Sequence, residues 1–236
     1  MDLAGELEGR PPRAPRPRRP WLWALGGAVV ASAVWGGALF AYERGRDDGV
    51  DIKGYAVGAD LCQKVRLKAL TAAIGERERE NDPVRWDDRN STLDRARCTV
   101  GIQSAEEKAK AEKEKSSLSY SVGLSAALHK VTDPGPEFRA TLSKNDWYVD
   151  QKSKVEEVPG LGDEAYMVTT NDGNAGIPEL RVRDGSAVFT LNVDISMNSY
   201  GDMEAAGPKP PSTAEMAALQ PAMIEDMRAM MAALKK

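Results

Sequence analysis

The sequence predicts an α+β fold held beyond a membrane by one apolar span, and three observations carry that expectation. Strand signals fill the middle of the chain, at Cys98–Gln103, Leu118–Leu128, Ala165–Thr170, Leu180–Arg183 and Ala187–Ile195. Helix signals flank them, after Asp60 and after Ser212. Ahead of all of these, Trp21–Tyr42 contains no charged side chain.

At about 1.5 Å rise per residue, a helix over Trp21–Tyr42 is as long as the ~30 Å hydrocarbon core of a bilayer. Arg10, Arg13, Arg16, Arg18 and Arg19 precede it, while Arg44 and Arg46 follow among Glu43, Asp47 and Asp48. The positive-inside bias then places the N-terminus in the cytoplasm and everything after Tyr42 outside the cell membrane. Trp21, Trp23 and Tyr42 suit the two interfaces. Ala31-Ser32-Ala33 has the form of a signal-peptidase site, so cleavage after Ala33 is the competing reading. The apolar run is longer than signal-peptide cores usually are, which favours the anchor. Ala24, Ala28, Ser32 and Gly36 fall four apart and would let a second copy of the helix approach closely, a homodimer expectation weakened by the segment's general richness in Ala and Gly.

The domain plan is therefore a Pro/Arg-rich cytoplasmic tail at 1–20, the membrane helix at 21–42, a polar linker at 43–58 and an extracytoplasmic α+β domain at 59–236. The chain has 236 residues and a net charge of −4. The part beyond Tyr42 is long enough for one domain with a core. Its mild acidity argues against nucleic acid as a partner. The tail's P-x-x-P spacings, Pro12–Pro15 and Pro17–Pro20, fit an SH3-type ligand, but a Pro/Arg composition generates them by chance, and the arginines already serve topology.

Cysteine use agrees with export. Cys62 and Cys98 are the chain's two cysteines, and an even pair in an exported domain suggests a disulfide. Closing that loop would stabilise the fold by about 4 kcal/mol in the chain-entropy model. Two unrelated buried thiols are the alternative. A zinc site is excluded by the spacing and by the presence of one histidine, His129.

Each element has its own signal. Asp60 is an N-cap for a helix carrying Leu61, Val65, Ala69, Ala72 and Ala73, with Gly75 at its end. Glu76–Asp94 is dense in charge and turn residues and reads as loop. Ser104–Ser117 contains AEEKAKAEKEK, a solvated charge run with i,i+4 support between Glu106 and Lys110. Leu118, Tyr120, Val122 and Leu124 share one strand face. Pro136–Lys144 is a short helix with Phe138 and Leu142 on one side, and Trp147–Val158 is ambiguous. Asp184-Gly185 is a tight turn between alternating strands. Ser212 with Glu215 makes a capping box. Met216, Leu219, Met223, Met227, Met230 and Leu234 then trace one helical face, with Pro221 starting a new helix or kinking this one. That methionine stripe reads as a face packed on the sheet, because a copper site wants histidine or closer sulfur ligands.

The order of Asp60-Leu61-Cys62, Cys98 at the head of a strand, Val158-Pro159-Gly160-Leu161-Gly162-Asp163-Glu164-Ala165-Tyr166 and Leu180-Arg181-Val182-Arg183-Asp184-Gly185 resembles the actinobacterial families of uncharacterised exported and lipid-anchored envelope proteins. The resemblance spans roughly 60–236. It implies an antiparallel β-sheet packed by helices, a PsbP-like sandwich, and carries over no catalytic residue. This chain departs from many such relatives in lacking a lipobox cysteine.

The common reaction motifs are missing. Gly160-Leu161-Gly162-Asp163-Glu164-Ala165 fits G-x-G-x-x-A, but Pro159 precedes it and a strand-like run follows, so it reads as a turn and implies no cofactor. Asp172-Gly173-Asn174 is a fragment of a calcium loop without its other ligands. His129 is the one available histidine base and sits at a strand end, which fits a rim or core residue. The expectation is a membrane-anchored binding or scaffolding protein of the cell envelope, not an enzyme. A carboxylate-based envelope hydrolase and a regulatory subunit of a membrane complex are the alternatives.

Overall fold

In one interior strand of the sheet, every second residue from 122 to 128 is apolar and buried, and that alternation sets the two faces of the sheet. This strand is β4 (Ser116–His129), whose Val122, Leu124, Ala126 and Leu128 point into the core while Ser121, Ser125 and Ala127 point the other way. The computed structural model describes residues 31–38, 50–58, 61–78, 84–114, 116–142, 153–171, 176–199 and 208–236. The chain divides into two units, Met1–Asp48 and Gly49–Lys236.

In the first unit, residues 31–38 are helical. The rest of the Trp21–Tyr42 span, including Ala24 and Ala28, lies outside the described residues. Among the described residues no helix is long and apolar enough to cross a membrane.

The second unit contains α1 (Leu61–Lys64), α2 (Lys68–Ile74), β1 (Glu76–Arg77), β2 (Val84–Arg89), β3 (Leu93–Gln103), α3 (Ala105–Glu114), β4, α4 (Gly135–Thr141), β5 (Ser153–Glu157), β6 (Glu164–Asn171), β7 (Gly176–Asp184), β8 (Ala187–Ser199), α5 (Thr213–Ala217) and α6 (Gln220–Leu234). Eight strands form one sheet in the order β1-β3-β4-β8-β7-β6-β5, with β2 also paired to β3. Every strand pair is antiparallel. The α+β expectation with an antiparallel sheet and helices is met.

One face of the sheet is sealed. Met216, Met223, Met227 and Met230 from α5 and α6 are fully buried against Leu180, Phe189 and Leu191. Each such side chain contributes roughly 1.5–3 kcal/mol of burial. The methionine stripe is core, as its spacing predicts. The Ser212–Glu215 capping box is present, and Pro221 stands in the first turn of α6, which starts a new helix after α5. Cys62 on α1 is bonded to Cys98 on the same face of β3, with Cα atoms 5.4 Å apart. The two cysteines are therefore one disulfide.

Three sequence expectations are corrected. The helix expected from Asp60 to Gly75 is two pieces, with Leu67 left-handed between them at φ 49°. Val65 and Leu67 are both buried, and residues two apart cannot share one helix face, so the helix breaks to bury both. Glu76–Asp94 is not mostly loop, because it holds β1, β2 and the start of β3. Its Asp87, Asp88 and Arg89 are exposed on an outer strand, and charge of that kind blunts a sheet edge while hiding the strand from an apolar-pattern search. The spacer expected at 43–58 is folded at its C-terminal part: Tyr55 and Val57 are buried, and Tyr55 bridges Lys235 as a short strand pair.

The charge run of Ser104–Ser117 is the connecting helix α3, and Lys110 pairs with Glu106 at 3.1 Å and Glu107 at 2.7 Å. The ambiguous Trp147–Val158 segment contains β5, and its earlier part lies outside the described residues.

Candidate functional site

The opposite face of the sheet is polar and only partly covered. Helix α4 lies over its β6–β8 side, where Phe138 and Leu142 pack on Val168 beside Tyr166 and Val188. Arg139 Nη1 donates to Glu164 at 2.6 Å, and Arg181 Nη1 donates to the Thr141 carbonyl at 2.9 Å, which fastens the C-terminal half of the helix to the sheet. Beside this cover is a groove of about 700 Å³ running over β3, β4, β8 and β7. That volume is within the range of small-ligand sites.

Strand register places the groove's side chains in rows. Arg97, Ser125, Thr190 and Arg181 face one another across four strands. The next row toward one end is Thr99, Gly123, Asn192 and Glu179, and the one after it contains Ser121 and Asp194. In the other direction Arg95 lies opposite Ala127, and His129 follows at the strand end. Ser121, Gly123, Ser125 and Ala127 give β4 a low floor. Gly123 makes room for Asn192: a Cβ there would fall 2.2 Å from Asn192 Oδ1 and push that side chain aside. Its absence lets the Asn192 amide lie across the strand, and Asn192 Nδ2 donates to Asp194 at 2.7 Å.

The groove is electrically graded. Arg95, Arg97 and His129 gather toward one end, together with Glu137 of α4, while Asp194 stands at the other. Glu179 is bound to the Arg181 guanidinium, so its charge is met on the protein. Burial raises the Asp194 carboxyl above the usual carboxylate range; Glu179 adds to the effect, and the Asn192 hydrogen bond opposes it. Burial lowers the His129 imidazole below its ordinary value, with Glu137 and Asp133 opposing and Arg95 reinforcing the shift.

His129 thus sits at the rim, as its position in the sequence suggests, with no nucleophile hydrogen-bonded to it among the described residues. The Gly160–Ala165 segment is a tight turn. Gly160 and Gly162 have positive φ, and β6 rather than a helix follows, so the dinucleotide context is missing. Asp172-Gly173-Asn174 lies outside the described residues. Among the described residues, no group of three or more His, Cys, Asp or Glu side chains is arranged to hold a metal ion.

Sequence reasoning missed Arg95, Arg97, Asn192 and Asp194. Their one signal is the strict polar alternation of LDRARCTVG and FTLNVDIS, which marks an outward face but not a concave one.

These features define an α+β domain whose sheet is sealed by helices on one side and carries an open polar groove on the other. The chain matches no protein-family model, no curated protein and no solved structure.

Proposed function

We propose that the protein is a membrane-anchored, extracytoplasmic binding protein of the cell envelope, held by the Trp21–Tyr42 span, which takes a polar ligand into the groove over β4. The observation that carries this reading is the contrast between the two sheet faces. One is packed with methionine, leucine and phenylalanine; the other keeps about 700 Å³ open above small side chains and ringed by hydrogen-bonding groups. A face needed only for solubility has no use for a floor of Ser, Gly, Ser and Ala flanked by taller polar walls. The address rests on the apolar span, the arginines before it and the disulfide, which belongs to oxidising compartments.

The hydrolase alternative finds its carboxylates in Asp194 and Glu179, diagonal neighbours on β8 and β7. Glu179 is committed to Arg181, and Glu137, the groove's other acid, stands by His129 at the end away from Asp194, so no two uncommitted carboxylates face each other to divide the roles of acid and base, and binding is the better reading.

The test is a thermal-shift panel of short peptides, amino sugars and sugar phosphates on the full-length protein in detergent, alongside Ser125→Trp. Tryptophan at Ser125 fills the floor without entering the core. At least one compound raises the melting midpoint of the native protein and has no effect on the variant. A panel without effect, or equal shifts in both proteins, overturns the reading.

A further inference from the structure

We propose that the groove receives a short extended peptide with free termini, its carboxylate at the Arg95, Arg97 and His129 end and its ammonium at Asp194. The inference rests on the binding reading above and names the ligand class for that groove. It stands on three features of the same face. The first is the distribution of charge: Arg95, Arg97 and His129 lie on β3 and the end of β4, where Glu137 of α4 offsets part of their charge, and Asp194 lies at the far end on β8. A ligand of one sign would meet its own sign at one end, whereas a zwitterion meets complementary charge at both.

The second is length. Arg97 pairs with Ser125 on β4, and Asp194 pairs with Ser121 on the same strand, so the two lie four residues apart along it and two strands apart across it. At about 3.4 Å per residue and about 4.8 Å per strand, their backbones are separated by roughly 17 Å. Side chains reaching inward from both ends shorten this to the span of about four extended residues, at about 3.3–3.6 Å each.

The third is the lining between the charges. Ser121, Ser125, Thr190 and Asn192 offer donors and acceptors spaced along the strands, and the small residues of β4 allow a backbone to approach closely. With these polar groups set along the strands, recognition falls on the peptide's main chain and ends. The volume of about 700 Å³ suits a peptide of small residues. The titrations fit this arrangement. An ammonium beside Asp194 favours its ionised form and offsets the effect of burial. A carboxylate beside His129 favours the imidazolium against Arg95, on the same side as Glu137 and Asp133.

The experiment is calorimetric titration of the full-length protein in nanodiscs with tetra-alanine, with its N-acetyl form and with its C-terminal amide. Free tetra-alanine binds, and each blocked form binds at least tenfold more weakly. Asp194→Asn removes the penalty of acetylation and leaves that of amidation. Arg95→Gln combined with Arg97→Gln does the reverse. Equal affinity for the three peptides on the native protein overturns the inference, and that comparison needs no variant to fold. If tetra-alanine fails to bind at millimolar concentration while another compound is still blocked by Ser125→Trp, this inference falls and the binding function stands. If nothing binds in the groove, both fall.

Discussion

A single buried carboxylate shows how much of this fold depends on individual side chains. Asp226 on α6 is 2% exposed, and its two oxygens accept the backbone N–H groups of Ala69 at 3.1 Å and Leu70 at 2.8 Å. Those donors belong to the first turn of α2, whose own N-cap position, Leu67, has no side chain to offer. Asp226 therefore caps α2 from another helix and locks α6 over it. Asp226→Ala leaves two buried donors without a partner and is expected to cost about 2–4 kcal/mol in urea denaturation, at about 1–3 kcal/mol per orphaned group with partial relaxation. Asp226→Asn keeps one acceptor and should cost less than the alanine change. Equal losses would show that packing, not capping, is the contribution. Gly162 is a second such residue. Its φ is +64°, and a Cβ there would lie 2.6 Å from the Arg183 carbonyl, where Asp163 N also donates. Gly162→Ala is expected to cost at least 1–3 kcal/mol from the backbone conformation alone, read as a fall in the urea midpoint.

At the scale of elements, the β7–β8 turn is fastened to both ends of the second unit. Lys53 binds Asp163 and Asp184, the latter at 2.7 Å; Tyr55 Oη donates to Asp184 at 2.6 Å; and the Lys235 ammonium lies 4.9 Å from the centre of the Tyr55 ring. The Lys53 ammonium and the Gly185 N–H hold Asp163 below the ordinary carboxylate range. Burial pushes Asp184 up, but the hydrogen bonds from Lys53 and Tyr55 outweigh it and the net shift is downward. Carboxylates with depressed pKa values bind fewer protons folded than unfolded. Their contribution is complete above the ordinary aspartate value near 3.9 and is lost as the pH falls through the lower folded values. Lys53→Met removes the partner, so its acid-unfolding midpoint should lie at higher pH than that of the native protein. Coincident acid transitions followed by circular dichroism would show that the cluster contributes nothing. The disulfide acts on neighbouring elements. It ties α1 to β3 across a sequence separation of 36, and reduction is expected to remove about 4 kcal/mol. Denaturant curves with and without reductant measure this directly.

The elements legible in the sequence are those in which burial and periodicity coincide. β4, β8 and α6 each bury one complete face, so alternation or helical spacing reveals them. The capping box and the Asp184-Gly185 turn are local chemistry and are equally visible. The break at Leu67 is not, because it is forced by burial of two residues that helical spacing alone would set apart. Tyr55 was hidden for another reason: its core position depends on Lys235 and Phe189, far away in the chain. The groove was the least legible feature. Arg97 and Asp194 occupy outward strand positions, and an outward polar residue looks the same in sequence on a flat solvated face as on a concave one. Only the register that brings four strands together, with Gly123 and its small neighbours at the centre, turns those positions into a site.

The proposed orientation in a bilayer belongs to the whole molecule, and the second unit supplies a position for testing it. Val131 follows β4 and is 62% exposed, with no core to disturb. The two native cysteines are joined, and there is no free cysteine among the described residues. Val131→Cys therefore gives a single reactive thiol on the folded unit. If the Trp21–Tyr42 span holds the chain with its N-terminus in the cytoplasm, a membrane-impermeant maleimide labels this variant in intact cells as fully as in lysed ones. The native protein stays unlabelled until it is unfolded and reduced, because Cys62 and Cys98 are buried and bonded. Labelling of the variant only after lysis would place the groove in the cytoplasm. The positive-inside assignment would then fail, and so would the link between an oxidising compartment and the disulfide.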